Sequence, residues 1–364
     1  MSGIPSVMKA AQQTGYGNVR DILILRDDVP VPRELSSTQV LVRVHAASIN
    51  PIDWKFLDGT FSLVTRLSFP HIPGKDVAGV VVDVGSNVKR FRVGDKVYGN
   101  FGMGDGSFAE YARADESLLA IRPQNLSMEE AAAVPLTCET SYEALFTKLS
   151  PPVGAGSKIL ICGGSTAAGL YAIQLAKAVG AQVSTTCSKR NFGLLEKLGY
   201  PTSETNSDAN QLHLIDYNEK DFGKELKGQD YDVVYDCVGG PEQWISAQEI
   251  LKRNGQFITI VGDHMKSSIT FKAAVSTVSS LINRKFWSVF GSAHHGYIFH
   301  SLSQRYENLD ELRTKYFENG KVKPIIDTVF DWRKDGVESL YALYEKSQSG
   351  KAQGKLILKI ADEE

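Results

Sequence analysis

The sequence predicts an α/β protein with a β-rich first third followed by a doubly wound parallel sheet. Valine-rich runs at 39–46 and 77–84, bounded by proline, glycine and asparagine, are typical of short strands. Later, the apolar run Lys158–Cys162 ends in two glycines, helical spacing follows over 170–179, and a strand-like run occupies 181–186. That order predicts a βαβ unit. At roughly 150 residues per domain, the 364 residues are enough for two domains.

The glycine turn inside this βαβ unit predicts a dinucleotide site, because a helix N-terminus binds phosphate. In the usual fingerprint the first glycine makes the turn, the second admits the pyrophosphate, and the third lets helix and strand pack closely. Gly163 and Gly169 match the first and third positions, whereas Thr166 stands at the middle one, and hydroxyls there are expected to donate to phosphate. The predicted turn residues are Gly163, Gly164, Ser165, Thr166, Ala167 and Gly169.

The end of the second strand of the unit favours NADPH over NADH. A carboxylate there would bind the ribose 2′-hydroxyl of NAD, whereas a basic residue accommodates the 2′-phosphate of NADP. Positions 185–190 contain no carboxylate and include Lys189 and Arg190. The alternative is that both cations only cover a solvated loop.

Composition excludes several classes of protein. The net charge of -2 gives no basic surface for nucleic acid. No apolar run approaches the roughly 18 residues that span a bilayer, and the first residues contain no apolar or arginine-rich leader, so a cytoplasmic protein without a membrane partner is expected. The cysteines at 138, 162, 187 and 237 match no metal-binding or disulfide spacing, which predicts free thiols.

The remaining elements follow in chain order. Ser127 and Glu130 have the spacing of a capping box at a helix start. The runs 231–240 and 255–262 are expected to be further strands of the parallel sheet, joined by a crossover helix over 241–254. The last segments are predicted as a strand at 285–291, a polar helix at 307–320, and strands within 320–332 and 354–360 that return to the first domain.

The order of motifs resembles the medium-chain dehydrogenase/reductase superfamily, and within it the zinc-free quinone oxidoreductase branch with its alkenal and trans-acting enoyl reductases. The similar motifs are ASINPIDWKFLDG, PHIPGKDVAGVVVDVGSNVKRFRVGDKVYG, GSFAEYA, AAAVPLTCETSYEAL, HLIDY and GKAQGKLIL. The resemblance implies a GroES-like β-rich catalytic domain over 1–136 with 310–364, and a Rossmann NADP-binding domain over 137–309.

The resemblance also predicts a mechanism without zinc. Asn50 stands where the zinc enzymes of the superfamily have a cysteine, and Gly74-Lys75-Asp76 stands where they have Gly-His-Glu. An amide and an ammonium group do not replace a thiolate and a neutral imidazole as zinc ligands, so no metal is expected.

Four residues are predicted as polar groups of the catalytic site. Asn50 and Lys55 are carried over from the Asn-Pro-x-Asp-x-Lys motif of the branch, where the lysine contacts the cofactor ribose or the substrate carbonyl. Asp53 is either a third polar group of the catalytic site or a residue that caps a loop or forms a salt bridge. Tyr98 is either a proton donor or a packing aromatic.

The resemblance assigns further residues to the cofactor. Thr140 would face the nicotinamide or else the core, Tyr217 would stack near the adenine ribose, and Lys355 would approach the cofactor or remain solvated. Ser188, Lys189 and Arg190 would surround the 2′-phosphate. The other residues predicted to bind the cofactor are Thr186, Val238, Gly239, Val261 and Gly262.

These features predict an NADPH-dependent reductase of quinones or α,β-unsaturated carbonyls. Two alternatives stay open at this point: a trans-acting enoyl reductase for a polyketide or acyl partner, and a catalytically weak NADPH-binding scaffold similar to a crystallin. The resemblance further implies a homodimer formed through the 285–291 strand.

Overall fold

The computed structural model describes residues 3–63, 65–102, 104, 106–205, 208, 210–262, 295–303 and 305–363. The chain divides into two compact units. The first consists of Met1–Glu139, Ser303–Gly320 and Pro324–Glu364, and the second of Thr140–Leu302 with Lys321–Lys323. The domain boundaries predicted from the sequence were 136/137 and 309/310. The α/β fold class with a β-rich unit and a parallel-sheet unit is confirmed.

The first unit is built on antiparallel strands. Strands β1 (Val7–Gln13) and β2 (Leu23–Pro30) form a two-stranded sheet. The strands of the larger sheet are β3 (Gln39–Ile49), β4 (Asp76–Val84), β5 (Lys96–Asn100), β6 (Tyr111–Asp115), β7 (Leu119–Ile121), β15 (Ile326–Asp331) and β16 (Lys355–Lys359). Their order is β15-β16-β3-β4-β5-β7, and β6 pairs with β3.

The C-terminal strands return to this sheet, as predicted. β16 runs antiparallel to β3 with Leu356 opposite Ile49, and β15 lies parallel to β16. Their apolar residues pack in the core of the first unit around the buried Trp332, whose indole N–H donates to the carbonyl oxygen of Ile360. This register brings Lys355 beside the end of β3.

Short helices complete the first unit. The helix predicted at Ser127 is confirmed, because the Ser127 and Glu130 side chains cap it reciprocally. A helix that was not predicted from the sequence lies inside the Asn-Pro-x-Asp-x-Lys motif. The helices are α1 (Val19–Ile22), α2 (Pro51–Leu57), α3 (Met128–Ala132), α4 (Pro135–Tyr142), which crosses the boundary between the units, α9 (Tyr306–Leu312), α10 (Trp332–Asp335) and α11 (Val337–Gln348).

The second unit contains the predicted parallel sheet. Its strands are β8 (Lys158–Cys162), β9 (Gln182–Cys187), β10 (Thr202–Ser203), β11 (Leu212–Asp216), β12 (Tyr231–Asp236), β13 (Leu251–Thr259) and β14 (Gly296–Phe299). Their order is β10-β11-β9-β8-β12-β13-β14, and these neighbours all pair in parallel. The strand order reverses beside β8, so the carboxyl ends of β8 and β12 form the switch point where such sheets bind ligands.

The helices of the second unit follow the βαβ pattern with one correction. They are α5 (Ala167–Ala178), α6 (Phe192–Glu196), α7 (Phe222–Glu225) and α8 (Pro241–Gln248). The crossover helix predicted over 241–254 was too long, because it ends at Gln248. Leu251 already pairs with Tyr231 in the sheet and is buried in the core, and Asn254 has a φ of 64°. Pairing with β12 and burial therefore outweigh the helical pattern there.

Other predictions have mixed outcomes. The four cysteines, predicted as free thiols, are free and also buried. The strand predicted at 285–291, with the homodimer that it implies, lies outside the described residues. Across the ranges described above, no helix is long and apolar enough to cross a membrane.

Candidate functional site

The register of three strands places polar side chains in one row in the first unit. Ser48 of β3 lies opposite Asp76 of β4, and Asp76 lies opposite Asn100 of β5. Directly opposed residues of neighbouring strands point to the same face of a sheet. The three side chains therefore meet, and all of them are buried.

Asp76 is the centre of a buried polar cluster. One carboxylate oxygen accepts from the Ser48 hydroxyl at 3.0 Å and from the Asn50 amide at 2.8 Å. The other accepts from the Asn100 amide at 2.7 Å and from the Leu136 backbone N–H at 3.0 Å. A buried carboxylate needs such donors, because burial without them is costly.

Lys355 completes the cluster with a buried positive charge. Its Nζ donates to Asn50 Oδ1 at 2.6 Å, to Asp76 Oδ2 at 3.2 Å and to the Ile49 carbonyl oxygen at 3.3 Å, and only 2% of the residue is exposed. We name Ser48, Asn50, Asp76, Asn100 and Lys355 the Asp76 cluster. Lys355 was predicted to approach the cofactor or to be solvated; the solvated alternative is wrong, because its ammonium is enclosed by the cluster.

The chemistry of these side chains does not fit a zinc ion. The Asn50 oxygen and one Asp76 oxygen already accept from the Lys355 ammonium, and that cation would repel a second one. Lys75, the neighbour of Asp76, is also buried and is a cation instead of a ligand. Among the described residues, no group of three or more histidine, cysteine, aspartate or glutamate side chains could hold a metal.

Asp53 lies beside the cluster in α2, as the third residue of that helix. One of its oxygens accepts the Asn50 backbone N–H at 2.7 Å, and the other is buried with no hydrogen-bond partner. Burial raises the pKa of Asp53 to about 7. The Asn50 N–H and the charges of Lys75 and Lys355 oppose the increase, while Asp76 adds to it. The residue thus caps the helix and also holds a proton near neutral pH.

This elevated pKa predicts that Asp53→Asn stabilises the protein in alkaline solution. The pKa is about 7 in the folded chain but about 3.9 in the unfolded chain, so the wild type loses stability as the pH rises from about 4 to above 7. Asparagine carries no such cost. We expect the variant to gain about 2–4 kcal/mol in free energy of unfolding at pH 8, and little at pH 4. Denaturant unfolding at both pH values measures this, with Asp58→Asn at the exposed end of α2 as the control. An equal gain at both pH values would contradict it.

Two further lysines of the first unit are buried, Lys55 within α2 and Lys75 beside it. Lys55 is 7% exposed, and burial lowers its pKa although the carboxylate of Asp58 opposes the change. Its ammonium lies 5.4 Å from the ring centre of Trp54, and that of Lys75 lies 5.8 Å from the ring centre of Phe56. A lowered pKa lies closer to neutral pH, where a lysine ammonium can act as a proton donor.

The structure places Tyr98 in the core of the first unit. It is fully buried, and its hydroxyl donates to the Leu309 carbonyl oxygen at 2.8 Å. Burial raises its pKa well above the usual value. These contacts match the alternative in which Tyr98 is a packing aromatic. Its hydroxyl donates to a backbone oxygen and not to a group of the predicted catalytic site.

The second unit contains the glycine turn in the predicted place. Gly163 has a φ of 83°, in the left-handed region that favours glycine. A Cβ at Gly163 would lie 2.7 Å from Val238 Cγ2, and one at Gly169 would lie 2.8 Å from the Gly164 Cα and even closer to the Gly163 carbonyl oxygen. A Cβ at Gly164 would collide with Thr185. All three glycines are therefore required by close packing.

Thr166 is the N-cap of α5. Its Oγ1 accepts from the Gly169 N–H at 3.0 Å and donates to the Gly163 carbonyl oxygen at 2.8 Å. The sequence predicts that this hydroxyl donates to phosphate, whereas in the structure it donates to the Gly163 carbonyl oxygen within the turn. The side chain at the middle fingerprint position instead closes the turn, and Ser165 Oγ accepts from the Asn191 amide at 3.0 Å.

The N-terminus of α5 supplies the donors that a phosphate needs. The first N–H groups of a helix, here those of Ala167 and Ala168, have no acceptor within the helix, and the helix dipole favours an anion there. Ser165, Thr166 and Ala167 are partly exposed. The turn therefore fits a dinucleotide pyrophosphate.

The carboxyl ends of β9 and β11 carry the residues predicted for the adenosine half. Thr186 is buried, and its carbonyl oxygen accepts the N–H groups of Gly163 and Gly164. Ser188 is partly exposed, Lys189 and Arg190 are exposed, and Tyr217 is 58% exposed. The basic side chains and the aromatic ring follow neighbouring strands at the carboxyl edge of the sheet.

The ends of β12 and β13 are joined by a pair of side chains that the sequence analysis missed. Asp236 accepts the N–H groups of Val238 and Gly239, and also the Thr259 hydroxyl at 2.8 Å. The same hydroxyl oxygen accepts the N–H groups that follow it, those of Val261 and Gly262. Burial raises the pKa of Asp236, and the hydrogen bonds that its carboxylate accepts oppose the increase. Of the two loops predicted to line the nicotinamide, the first is thus held by the Asp236 carboxylate and the second by the Thr259 hydroxyl, which donates to that carboxylate.

Thr140 is buried in α4 at the start of the second unit. Of the residues that the analysis missed, Asp76 had a signal in the sequence, because an acidic residue that begins a valine-rich strand is unusual in a core. Asp236 and Thr259 had the weaker signal of polar residues just before glycine-rich strand ends.

Two family models match the chain. The model described as alcohol dehydrogenase GroES-like domain matches residues 36–124, and the model described as zinc-binding dehydrogenase matches residues 211–358. The first match lies in the antiparallel unit. The second begins before β11 and ends within β16.

Proteins of known name resemble the chain over nearly its whole length. It is 35% identical to a 2-methylene-furan-3-one reductase of Solanum lycopersicum, over 98% of this chain and 80% of that protein. It is 32% identical to an NADPH-dependent alkenal/one oxidoreductase, chloroplastic, of Arabidopsis thaliana, over 98% and 81%. A solved quinone oxidoreductase from Coxiella burnetii has a TM-score of 0.75 and 30% identity, over 97% and 99%.

Proposed function

Because the chain belongs to the quinone-oxidoreductase-like branch of the medium-chain dehydrogenase/reductase superfamily, we propose that it is an NADPH-dependent reductase of quinones or α,β-unsaturated carbonyls. The observation that carries the proposal is the glycine turn, in which three glycines bring backbone donors to the start of α5. The exposed Lys189 and Arg190 favour the phosphorylated cofactor.

The second unit would hold the cofactor. Ala167 and Ala168 would donate their N–H groups to the pyrophosphate, and Ser188, Lys189 and Arg190 would bind the 2′-phosphate. Val238, Gly239, Val261 and Gly262 would line the nicotinamide half. When bound, NADPH supplies the hydride.

The first unit would stabilise charge on the substrate. Hydride addition to the β-carbon of an enone, or to a quinone, leaves negative charge on the carbonyl oxygen, which needs a cation or a hydrogen bond and then a proton. We assign this to Lys55, because burial lowers its pKa and so makes the ammonium a better acid. Asn50 would act by position, since its amide is already held by Asp76 and Lys355.

Cofactor titration followed by turnover tests this function. Purified protein is titrated with NADPH and NADH, and then 1,4-quinones, 2-alkenals and enoyl thioesters are added while the absorbance of the reduced nicotinamide is followed. Selective NADPH binding with turnover of quinones or alkenals supports the proposal. Turnover of enoyl thioesters alone would favour an acyl-chain enoyl reductase, and binding without any turnover would favour a scaffold.

Lys55→Met is expected to lower kcat by about 100-fold or more, which is the usual contribution of a general acid. The NADPH dissociation constant should stay within about threefold, because the cofactor groups lie on the second unit. Lys75→Met provides the comparison, since it removes the other ammonium buried beside an aromatic ring. If Lys55→Met keeps kcat while Lys75→Met loses it, the assignment to Lys55 is wrong.

We also propose that the reaction needs no zinc and that the chain acts as a cytoplasmic homodimer. The lysine enclosed in the Asp76 cluster supports the first point. A chelator should leave NADPH-dependent turnover unchanged, and light scattering in dilute buffer should give the mass of a dimer. Inactivation by the chelator would contradict the first point, and a monomer would contradict the second.

A further inference from the structure

The carboxyl ends of β9 and β11 bring three polar residues together. The two strands are parallel neighbours with Asp216 opposite Cys187, so Ser188 and Asn218 emerge at the same edge of the sheet. Asp216 is largely buried there, whereas Asn218 is exposed and Ser188 is half-buried. These residues form the chain of contacts Asp216, Asn218, Ser188.

Asp216 fixes the direction of the Asn218 amide. Its Oδ1 accepts the Asn218 backbone N–H at 3.0 Å and the side-chain Nδ2 at 2.8 Å. A carboxylate has only acceptors to offer, so the amide must turn its nitrogen, not its oxygen, toward Asp216. The orientation of the side chain therefore follows from the charge of its neighbour.

The amide in turn orients Ser188. The same Nδ2 donates to Ser188 Oγ at 3.2 Å. A hydroxyl that accepts a hydrogen bond can still donate its own proton, and the Ser188 oxygen is not used to cap the turn after it, so Asn218 is the donor that orients it. Ser188 is thus held as a donor at the edge of the sheet where Lys189 and Arg190 begin.

The Asp216 carboxylate would repel a phosphate bound at this edge of the sheet. Both Asn218 hydrogen bonds go to the same oxygen of Asp216, and these donors offset part of the repulsion. Lys189, the residue after Ser188, forms a largely exposed ion pair with Glu204 at 3.6 Å, and exposed pairs of this kind are weak enough for an anion to compete with them.

We propose that Asn218 is a positioning residue that sets the preference for the 2′-phosphate, by presenting Ser188 as a donor and by shielding Asp216. This inference rests on the proposed NADPH-dependent function. It predicts that a change at Asn218 alters recognition of one phosphate group and not of the rest of the cofactor.

Binding of cofactor fragments by the full-length chain tests the inference without turnover. Isothermal titration gives dissociation constants for NADPH, NADH, 2′,5′-ADP and 5′-AMP with the wild type, Asn218→Ala, Asn218→Asp and Gln229→Glu. Gln229 lies just before the amino end of β12, at the opposite edge of the sheet, so its variant controls for the added charge. Thermal unfolding checks that each variant is folded.

Asn218→Ala should weaken the binding of 2′,5′-ADP and NADPH by about 5–10-fold, which is the effect of one oriented hydrogen bond. The dissociation constants of 5′-AMP and NADH should change by no more than about twofold. Asn218→Asp should weaken the binding of 2′,5′-ADP and NADPH, the two ligands with a 2′-phosphate, by about 30-fold or more. The substitution removes the donor and adds a charge of the same sign as the phosphate. Gln229→Glu should change neither pair.

Two results would overturn the inference in different ways. If the wild type prefers NADPH but both Asn218 variants keep the ratio of NADPH to NADH affinity, Asn218 has no part in specificity while the proposed function stands. If the wild type binds NADPH no better than NADH, the proposed cofactor is wrong and the inference falls with it.

Discussion

Replacing Asp76 with asparagine is expected to lower the free energy of unfolding by about 3–5 kcal/mol. The carboxylate is fully buried and accepts hydrogen bonds from four side chains, including the Lys355 ammonium at 3.2 Å. Asparagine keeps the shape of the side chain but removes the charge that balances Lys355, and it turns one acceptor into a donor. Urea or guanidinium unfolding at neutral pH measures the loss.

A double-mutant cycle separates the charge effect from the packing effect. Lys355→Met should also destabilise, but Asp76→Asn combined with Lys355→Met should cost clearly less than the sum of the two, because no buried charge is left unpaired. The exposed pair Arg20 and Glu345, 49% and 46% exposed, provides the control. Glu345→Gln should cost no more than about 1 kcal/mol. Additive losses in the cycle would contradict the account.

Replacing Gly169 with alanine is expected to weaken NADPH binding by about 100-fold. The added Cβ would lie 2.8 Å from the Gly164 Cα and even closer to the Gly163 carbonyl oxygen, and backbone atoms cannot rotate away. The start of α5 must move from β8, which costs roughly 1–3 kcal/mol of packing and displaces the N–H groups of the turn. Fluorescence titration with NADPH measures the affinity.

Gly193→Ala is the matched control for this substitution. Gly193 is also a helical glycine of the second unit, but a Cβ there would meet no atom within 4 Å. Alanine should keep NADPH binding within about threefold and stabilise the helix slightly, by about 0.5–1 kcal/mol. If both glycine variants bind NADPH equally well, the close packing of the turn does not govern the phosphate site.

The elements predictable from the sequence were those defined by local patterns. β8, the glycine turn and β9 follow from apolar runs and two glycines, and the helix at Ser127 follows from its capping residues. Each of these depends on neighbours within a few positions, which a single chain displays directly.

The features that the sequence did not reveal depend on contacts between distant segments. Asp76 meets Ser48 and Asn100 only because three strands pair in one register, and Lys355 joins them from the other end of the chain. From the sequence, Thr166 is a departure from the glycine that the fingerprint has at its middle position. Its value as an N-cap became visible only with the geometry of the turn. Long-range register and hydroxyl direction are tertiary properties, so local patterns do not contain them.

Hydride transfer from NADPH to an unsaturated carbonyl or a quinone can be followed with isotopically labelled cofactor. NADPH deuterated at either face of C4 is mixed with the protein and a 2-alkenal, and the product is analysed by mass spectrometry. We predict one deuterium on the β-carbon from one of the two labelled forms and a solvent proton on the α-carbon. Failure of both forms to label the alkenal, together with no oxidation of NADPH by 1,4-quinones, would contradict the account.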